Sequence, residues 1–197
     1  MKKKKKIKRR LVLASASPRR LDILYSLGLD PAVVVVDAVE LTDREPDELV
    51  SLNAEIKAKG ALPLCQDGDV VVAADTVVVC EGEILGKPKD AADAQRMLSL
   101  LSGRSHWVYT GVAVFDYSTG TGASGYTKTE VQFAELSPEV IEAYIQTGEP
   151  LDKAGAYGIQ GRGGVFVKSI SGDYGTVVGL SPHLFAILAA KVNFPIF

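Results

Sequence analysis

The chain has 197 residues, 47% of them apolar and 23% charged, which is enough for one compact core. A net charge of -2 and a sequence pI near 5.7 exclude the body of the protein as an electrostatic nucleic-acid binder, and no apolar stretch is long enough to span a bilayer. Two cysteines, Cys65 and Cys80, have no metal-ligand spacing and are too few for a disulfide framework, so a reducing compartment is expected.

The first ten residues, MKKKKKIKRR, hold eight Lys or Arg and read as a solvated, flexible arm. A phosphate-tracking or membrane-surface segment or a nuclear address is the functional alternative, and no apolar stretch follows that would make it a secretory signal. Residues 11–197 read as a single domain. Leu11 to Ala14 is a short buried strand, and Ser17-Pro18 starts a helix that Gly28 stops. Ala32 to Val36 is β-branched and strand-like. Pro46 opens a second helix, with Leu49, Leu52 and Ile56 at helical spacing.

Asp69 to Ala74 and Val77 to Cys80 read as strand around an interruption at Asp75-Thr76. Ile84-Leu85 returns after the turn EGE, and a third helix runs from Asp90 to about Leu101. Trp107 to Tyr117 and Tyr126 to Ala134 form a hairpin or a wide β-ribbon across STGTG. Ser137-Pro138 caps a helix ending at Gly148, residues 149–164 are a glycine-rich loop, Val165 to Ile170 is a strand, and Ser181-Pro182 opens the last helix. Helices interleaved with strands and a long hairpin indicate an α/β protein with a mixed sheet.

Three groups of residues carry chemistry. LASASPRR (residues 13–20) sets Ser15, Ser17, Arg19 and Arg20 where a strand hands over to a helix. A helix start offers backbone N–H groups, and arginine forks match phosphate oxygens, so this is a polyphosphate cradle or a merely capped helix with solvated arginines. VVVAADTVV places Asp75 and Thr76 in an apolar strand, where an unpartnered carboxylate is costly. Such a residue holds a divalent cation, takes a proton from water, or sits at a turn. Lys57, Lys87 and Lys153 add positive charge, and Glu40 could join Asp75 at a metal. The segment from Gly155 to Gly164 has no GxGxxG spacing but promises close backbone approach, with Tyr157 and Gln160 as ring or base-edge contacts. His106 and His183 are isolated and read as surface or satisfied core residues.

Taken together, SASPRR, AADTVV, LGKP, LSGRSHWVYTGVAV, EPLDKAGAYGIQGRGG and GDYGTVVGLSP resemble, in matching order from Leu11 to about Leu188, the Maf proteins. These are nucleoside triphosphate pyrophosphatases, also called septum formation proteins. The resemblance implies an elongated, curved mixed sheet flanked by helices, with a cleft between two lobes, similar to inosine triphosphate pyrophosphatases. It implies a cytoplasmic house-cleaning hydrolase that splits a nucleoside triphosphate into monophosphate and pyrophosphate with Mg2+ or Mn2+, acts as a homodimer, and has neither membrane nor nucleic acid as a partner.

Position by position, the resemblance makes Asp75 the general base and a metal ligand with Glu40. Arg19, Thr76 and Gln160 match the dTTP/UTP-hydrolysing subgroup, and Ser15, Arg20, Lys57, Lys87 and Lys153 match polar positions lining the cleft. The alternative is a nucleotide-binding regulator of cell division without turnover. The chain departs from the family pattern at Thr176 and Ser181, where asparagine and proline are usual, and in its basic first ten residues.

Overall fold

The structure, a computed structural model, describes residues 9–197. Most of the basic arm therefore lies outside the described residues. Its last two arginines belong to the fold: Arg10 opens the first strand and clamps the Asp69 carboxylate through Nε (2.9 Å) and a terminal nitrogen (2.6 Å), and Arg9 pairs with Asp116 at 3.0 Å.

One seven-stranded mixed sheet organises the molecule. Its strands are β1 (Arg10–Ala14), β2 (Ala32–Val34), β3 (Asp69–Cys80), β4 (Glu83–Leu85), β5 (Ser105–Asp116), β6 (Gly122–Phe133) and β7 (Val167–Ser171). The order is β2-β1-β3-β5-β6-β7, with β4 added to β3; β1 runs parallel to β2 and β3, and all other pairs are antiparallel. Around it lie α1 (Pro18–Ser26), α2 (Pro46–Ala61), α3 (Ala91–Leu101), α4 (Pro138–Ile145), α5 (Tyr174–Val178) and α6 (Pro182–Lys191).

Helix starts follow local chemistry. Asp90, Ser137 and Ser181 accept hydrogen bonds from the N–H groups of Asp93, Val140 and Leu184, which satisfies donors a first turn leaves open. Ser17 does not cap α1 through its side chain; Ser15 Oγ accepts from Ser17 N–H at 3.2 Å instead.

The structure differs from the sequence-based expectation in four places. β3 is continuous through Asp75 and Thr76, because alternation sends one side chain to each face and neither residue needs a break. β2 stops at Val34. The glycine-rich loop is wound into 3-10 turns at Glu149–Asp152, Ala154–Ala156 and Arg162–Phe166, which delays β7 to Val167. α5 leaves no mark in the sequence, since five residues containing a glycine show no helical period.

The long strands β3, β5 and β6 run through two lobes. On one face, Leu11, Leu13, Val70, Val72, Ala74, Val112 and Val114 pack under α1 and α6 through Leu24, Phe185 and Leu188. Further along that face, Val78, Cys80, Val108, Val131 and Phe133 form a second core with α3, α4, Tyr157 and Phe166. Between the two cores the same face carries a row of threonines, Thr76 opposite Thr110 and Thr110 opposite Thr127. On the reverse face α2 lays Ala54, Ala58 and Ala61 against Val71, Ala73 and Ala113.

His106 belongs to the second core and His183 is exposed. The His106 ring is 1% exposed, meets Tyr157 Oη through Nε2 at 2.9 Å, and has no hydrogen-bond partner for Nδ1 among the described residues. It is therefore a core residue only half satisfied. Burial pushes its pKa down to about 4, well under the value near 6.5 of an exposed imidazole. At this residue the folded state binds fewer protons than the unfolded chain, so its contribution to stability is full above pH 6.5 and declines as pH falls toward 4. The slope is about 1.4 kcal/mol per pH unit across that window. Chemical denaturation at pH 7 and pH 5 measures it, and the difference between the two pH values should shrink in His106→Phe.

Candidate active site

The site lies where β3 loses its neighbour. On the edge away from β5, β3 pairs with β1 over residues 69–72 and with β4 over residues 78–80. Among the described residues, 73–77 have no strand on that side, and a cleft of about 770 Å³ opens there. Ser15, Arg19, Arg20, Glu40, Lys57, Asp75, Thr76, Lys87, Lys153 and Gln160, the residues singled out from the sequence, all line it.

Alternation along β3 gives the cleft two walls. On the α2 side Asp75, 7% exposed, receives Lys57 Nζ on Oδ1 at 2.6 Å and Asn53 Nδ2 on Oδ2 at 3.2 Å. Lys57 Nζ also reaches Glu40 Oε1 at 2.9 Å, so one ammonium joins the two carboxylates. Asn53 fixes the stretch that carries Glu40, since its Oδ1 accepts from Leu41 N–H at 2.8 Å and its Nδ2 donates to Leu41 C=O at 3.2 Å. On the other side Arg20 spreads its fork over three elements: Nε to Gly179 C=O at 2.8 Å, one terminal nitrogen to Ser15 Oγ at 3.0 Å, and the other to Thr76 Oγ1 at 3.3 Å. Burial draws the Arg20 pKa below its usual value while Asp75 opposes the shift, and an arginine stays charged throughout the physiological range.

The third wall is the wound loop. Arg19 meets Asp152 at 3.4 Å, and Lys153 Nζ donates to Asp152 Oδ1 and to the Glu149 carbonyl, both at 2.6 Å. Glu149 also ties the loop that carries Gln160. Its carboxylate accepts from Tyr144 Oη at 2.9 Å and from the N–H groups of Arg162 (3.0 Å) and Gly163 (3.2 Å), bonds that hold its pKa below the usual carboxylate value against the opposing effect of burial. A Cβ at Gly161 would overlap that carboxylate, and Gly155 takes a left-handed turn against Val78, where a side chain would not fit. Lys87 and Gln160 stand exposed at the rim.

Asn53, Thr110, Glu149 and Asp152 escaped the sequence reading. Glu149 acts on backbone N–H groups of a turn and leaves no pattern. The three threonines did leave one, since each falls in phase with buried apolar residues along its strand.

Arginines and lysines around a carboxylate pair, on the open strand edge of a mixed sheet, give this α/β protein a cleft with the chemistry to bind an anion. The family profile described as Maf-like protein matches residues 10–192, and the chain belongs to that family. A protein of Moorella thermoacetica named dTTP/UTP pyrophosphatase is 50% identical over 173 residues, covering 87% of this chain and 89% of its own length. Proteins of the same name from Symbiobacterium thermophilum and Thermococcus gammatolerans are 48% and 50% identical, over 95% and 86% of this chain and 96% and 89% of theirs. The solved structure of the Staphylococcus aureus Ham1 protein is similar with a TM-score of 0.49 at 15% identity, over 91% of both chains.

Proposed function

We propose that the chain hydrolyses dTTP and UTP to the nucleoside monophosphate and pyrophosphate, with Asp75 as general base. The observation that carries this reading is the meeting of Asp75, Lys57 and Glu40 inside a cleft also lined by Arg19, Arg20, Lys87 and Lys153, in a chain about half identical to proteins named dTTP/UTP pyrophosphatase. The cations bind the triphosphate and stabilise charge that grows on the leaving pyrophosphate. Asp75 takes a proton from water as the water adds across the anhydride between the α and β phosphates. Lys57 and Asn53 hold both carboxylate oxygens and so aim it. Arg19, Thr76 and Gln160 are the residues we assign to choice of the base.

A divalent cation fits the site. Glu40 and Asp75 both approach the Lys57 ammonium within 3 Å, so two carboxylates converge, and Mg2+ is commonly held by one or two carboxylates together with substrate phosphates. Among the described residues no third His, Cys, Asp or Glu side chain joins this pair, so phosphate oxygens of the substrate would be needed to complete the ligand set. Asp75 and Glu40 would hold Mg2+ or Mn2+, and the bound ion would polarise phosphoryl oxygens.

The same reading places the enzyme in the cytoplasm as a homodimer. No helix of the described residues is long and apolar enough to cross a membrane. The test is a product assay with Mg2+ and Mn2+ on dTTP, UTP, CTP, ATP, GTP and 7-methyl-GTP. Monophosphate and pyrophosphate in equal amounts, from dTTP and UTP above the rest, are expected. Tight binding with no pyrophosphate released from any of them would leave a nucleotide-binding regulator instead.

A further inference from the structure

The threonine row between the two cores has a direction. We propose that Thr110 is a positioning residue that turns the Thr76 hydroxyl into a pure hydrogen-bond acceptor. That point of the cleft then takes a donor group of the nucleotide, a sugar hydroxyl or a base imide N–H, and rejects a phosphate oxygen. The proposal rests on the nucleotide reading above and deepens it.

A threonine hydroxyl has one proton and two lone pairs. Thr110 is wholly buried, and its Oγ1 lies 2.8 Å from the carbonyl oxygen of Thr176 on α5. A carbonyl only accepts, so the Thr110 proton is committed there. Thr76 Oγ1 lies 2.9 Å from Thr110 Oγ1, and the proton between them must therefore come from Thr76. On its other side Thr76 accepts an N–H from Arg20 at 3.3 Å. Its proton and one lone pair are thus used inside the protein, and a single lone pair is left for the cleft it lines. An ionised phosphate oxygen placed there would set lone pair against lone pair; an N–H or O–H would bond.

α5 keeps this arrangement in place. Asp173 caps it by accepting from Gly175 N–H at 2.8 Å, and Thr176 Oγ1 is held by Thr127 Oγ1 at 2.6 Å. The acceptor for the Thr110 proton is therefore anchored from two sides. Thr110→Val would keep the shape of residue 110, remove the acceptor facing Thr76, and free the Thr76 proton to turn outward.

The experiment compares UTP, N3-methyl-UTP and 3′-deoxy-UTP on the native chain, Thr110→Ser and Thr110→Val. Both kcat/KM and Kd are measured, with thermal midpoints alongside. The native chain should favour UTP about tenfold over the analogue that lacks the donor, the worth of one neutral hydrogen bond. Discrimination against the N3-methyl compound identifies the imide, and discrimination against the 3′-deoxy compound identifies the sugar. Thr110→Ser should keep that ratio, and Thr110→Val should bring it to about twofold or less. Equal handling of all three nucleotides by the native chain overturns the proposal, whether or not the valine variant folds. So does a valine variant that weakens all three by one common factor. Absence of turnover with the ratio preserved in Kd would sink the hydrolase reading alone.

Discussion

Asp75→Asn is expected to lower kcat by about 10³-fold while the protein stays folded and binds nucleotide. The amide is the same size as the carboxylate but accepts a proton from water far less readily, and general-base catalysis commonly contributes between about 10² and 10⁴. Lys57 keeps Glu40 at 2.9 Å, so its ammonium is not stranded. Asn53 keeps both bonds to Leu41, so the segment carrying Glu40 stays docked. A thermal midpoint within a few degrees of native and a dTTP Kd within about tenfold should accompany the lost turnover. Variant turnover above a tenth of native would remove Asp75 from the chemistry.

Gly111→Ala should damage stability and activity together, although residue 111 bears no functional group. Gly111 is paired with Asp75 across β3 and β5, and α2 crosses directly above it. A Cβ there would overlap the Val50 carbonyl, and both sides of the collision are backbone, which cannot swing away as a side chain can. Overpacking typically costs about 1–3 kcal/mol, and a collision of backbone with backbone belongs at the top of that range. For a domain of this size that is a fall in Tm of roughly 6–12 °C. Relief requires α2 to lift, and α2 carries Asn53 and Lys57, so the 2.6 Å contact on Asp75 should open as well. Calorimetry and kcat/KM on one preparation check both effects; a soluble variant with native Tm would contradict the close approach of α2.

Much of the cleft could be read from the chain because its charged residues stand where packing alone would not put them. Asp75 in a run of Val and Ala and the paired arginines after SASP were visible as anomalies. The supporting groups were not. Asn53 sits in an amphipathic helix where its neighbours Glu55 and Lys57 are equally polar, and Glu149 speaks to backbone amides that have no letter in the sequence. Thr110 falls in phase with buried apolar residues, but threonine suits a strand on propensity alone, so the phase by itself does not mark it. The break assigned to Asp75-Thr76 failed for a related reason: two adjacent polar residues interrupt a strand only if both must face the same side.

That two-sidedness has a consequence for how such an enzyme can change over time. Adjacent letters of one strand answer to different supports, residue 75 to α2 and residue 76 to β5, α5 and Arg20. On the roles proposed above, substitutions at Thr110, Thr176 or Arg20 would retune which nucleotide is accepted while the contacts of residue 75 with α2 stay as they are, and substitutions at Asn53 or Lys57 would do the reverse. Chemistry and choice of substrate would then be free to drift independently, one residue apart.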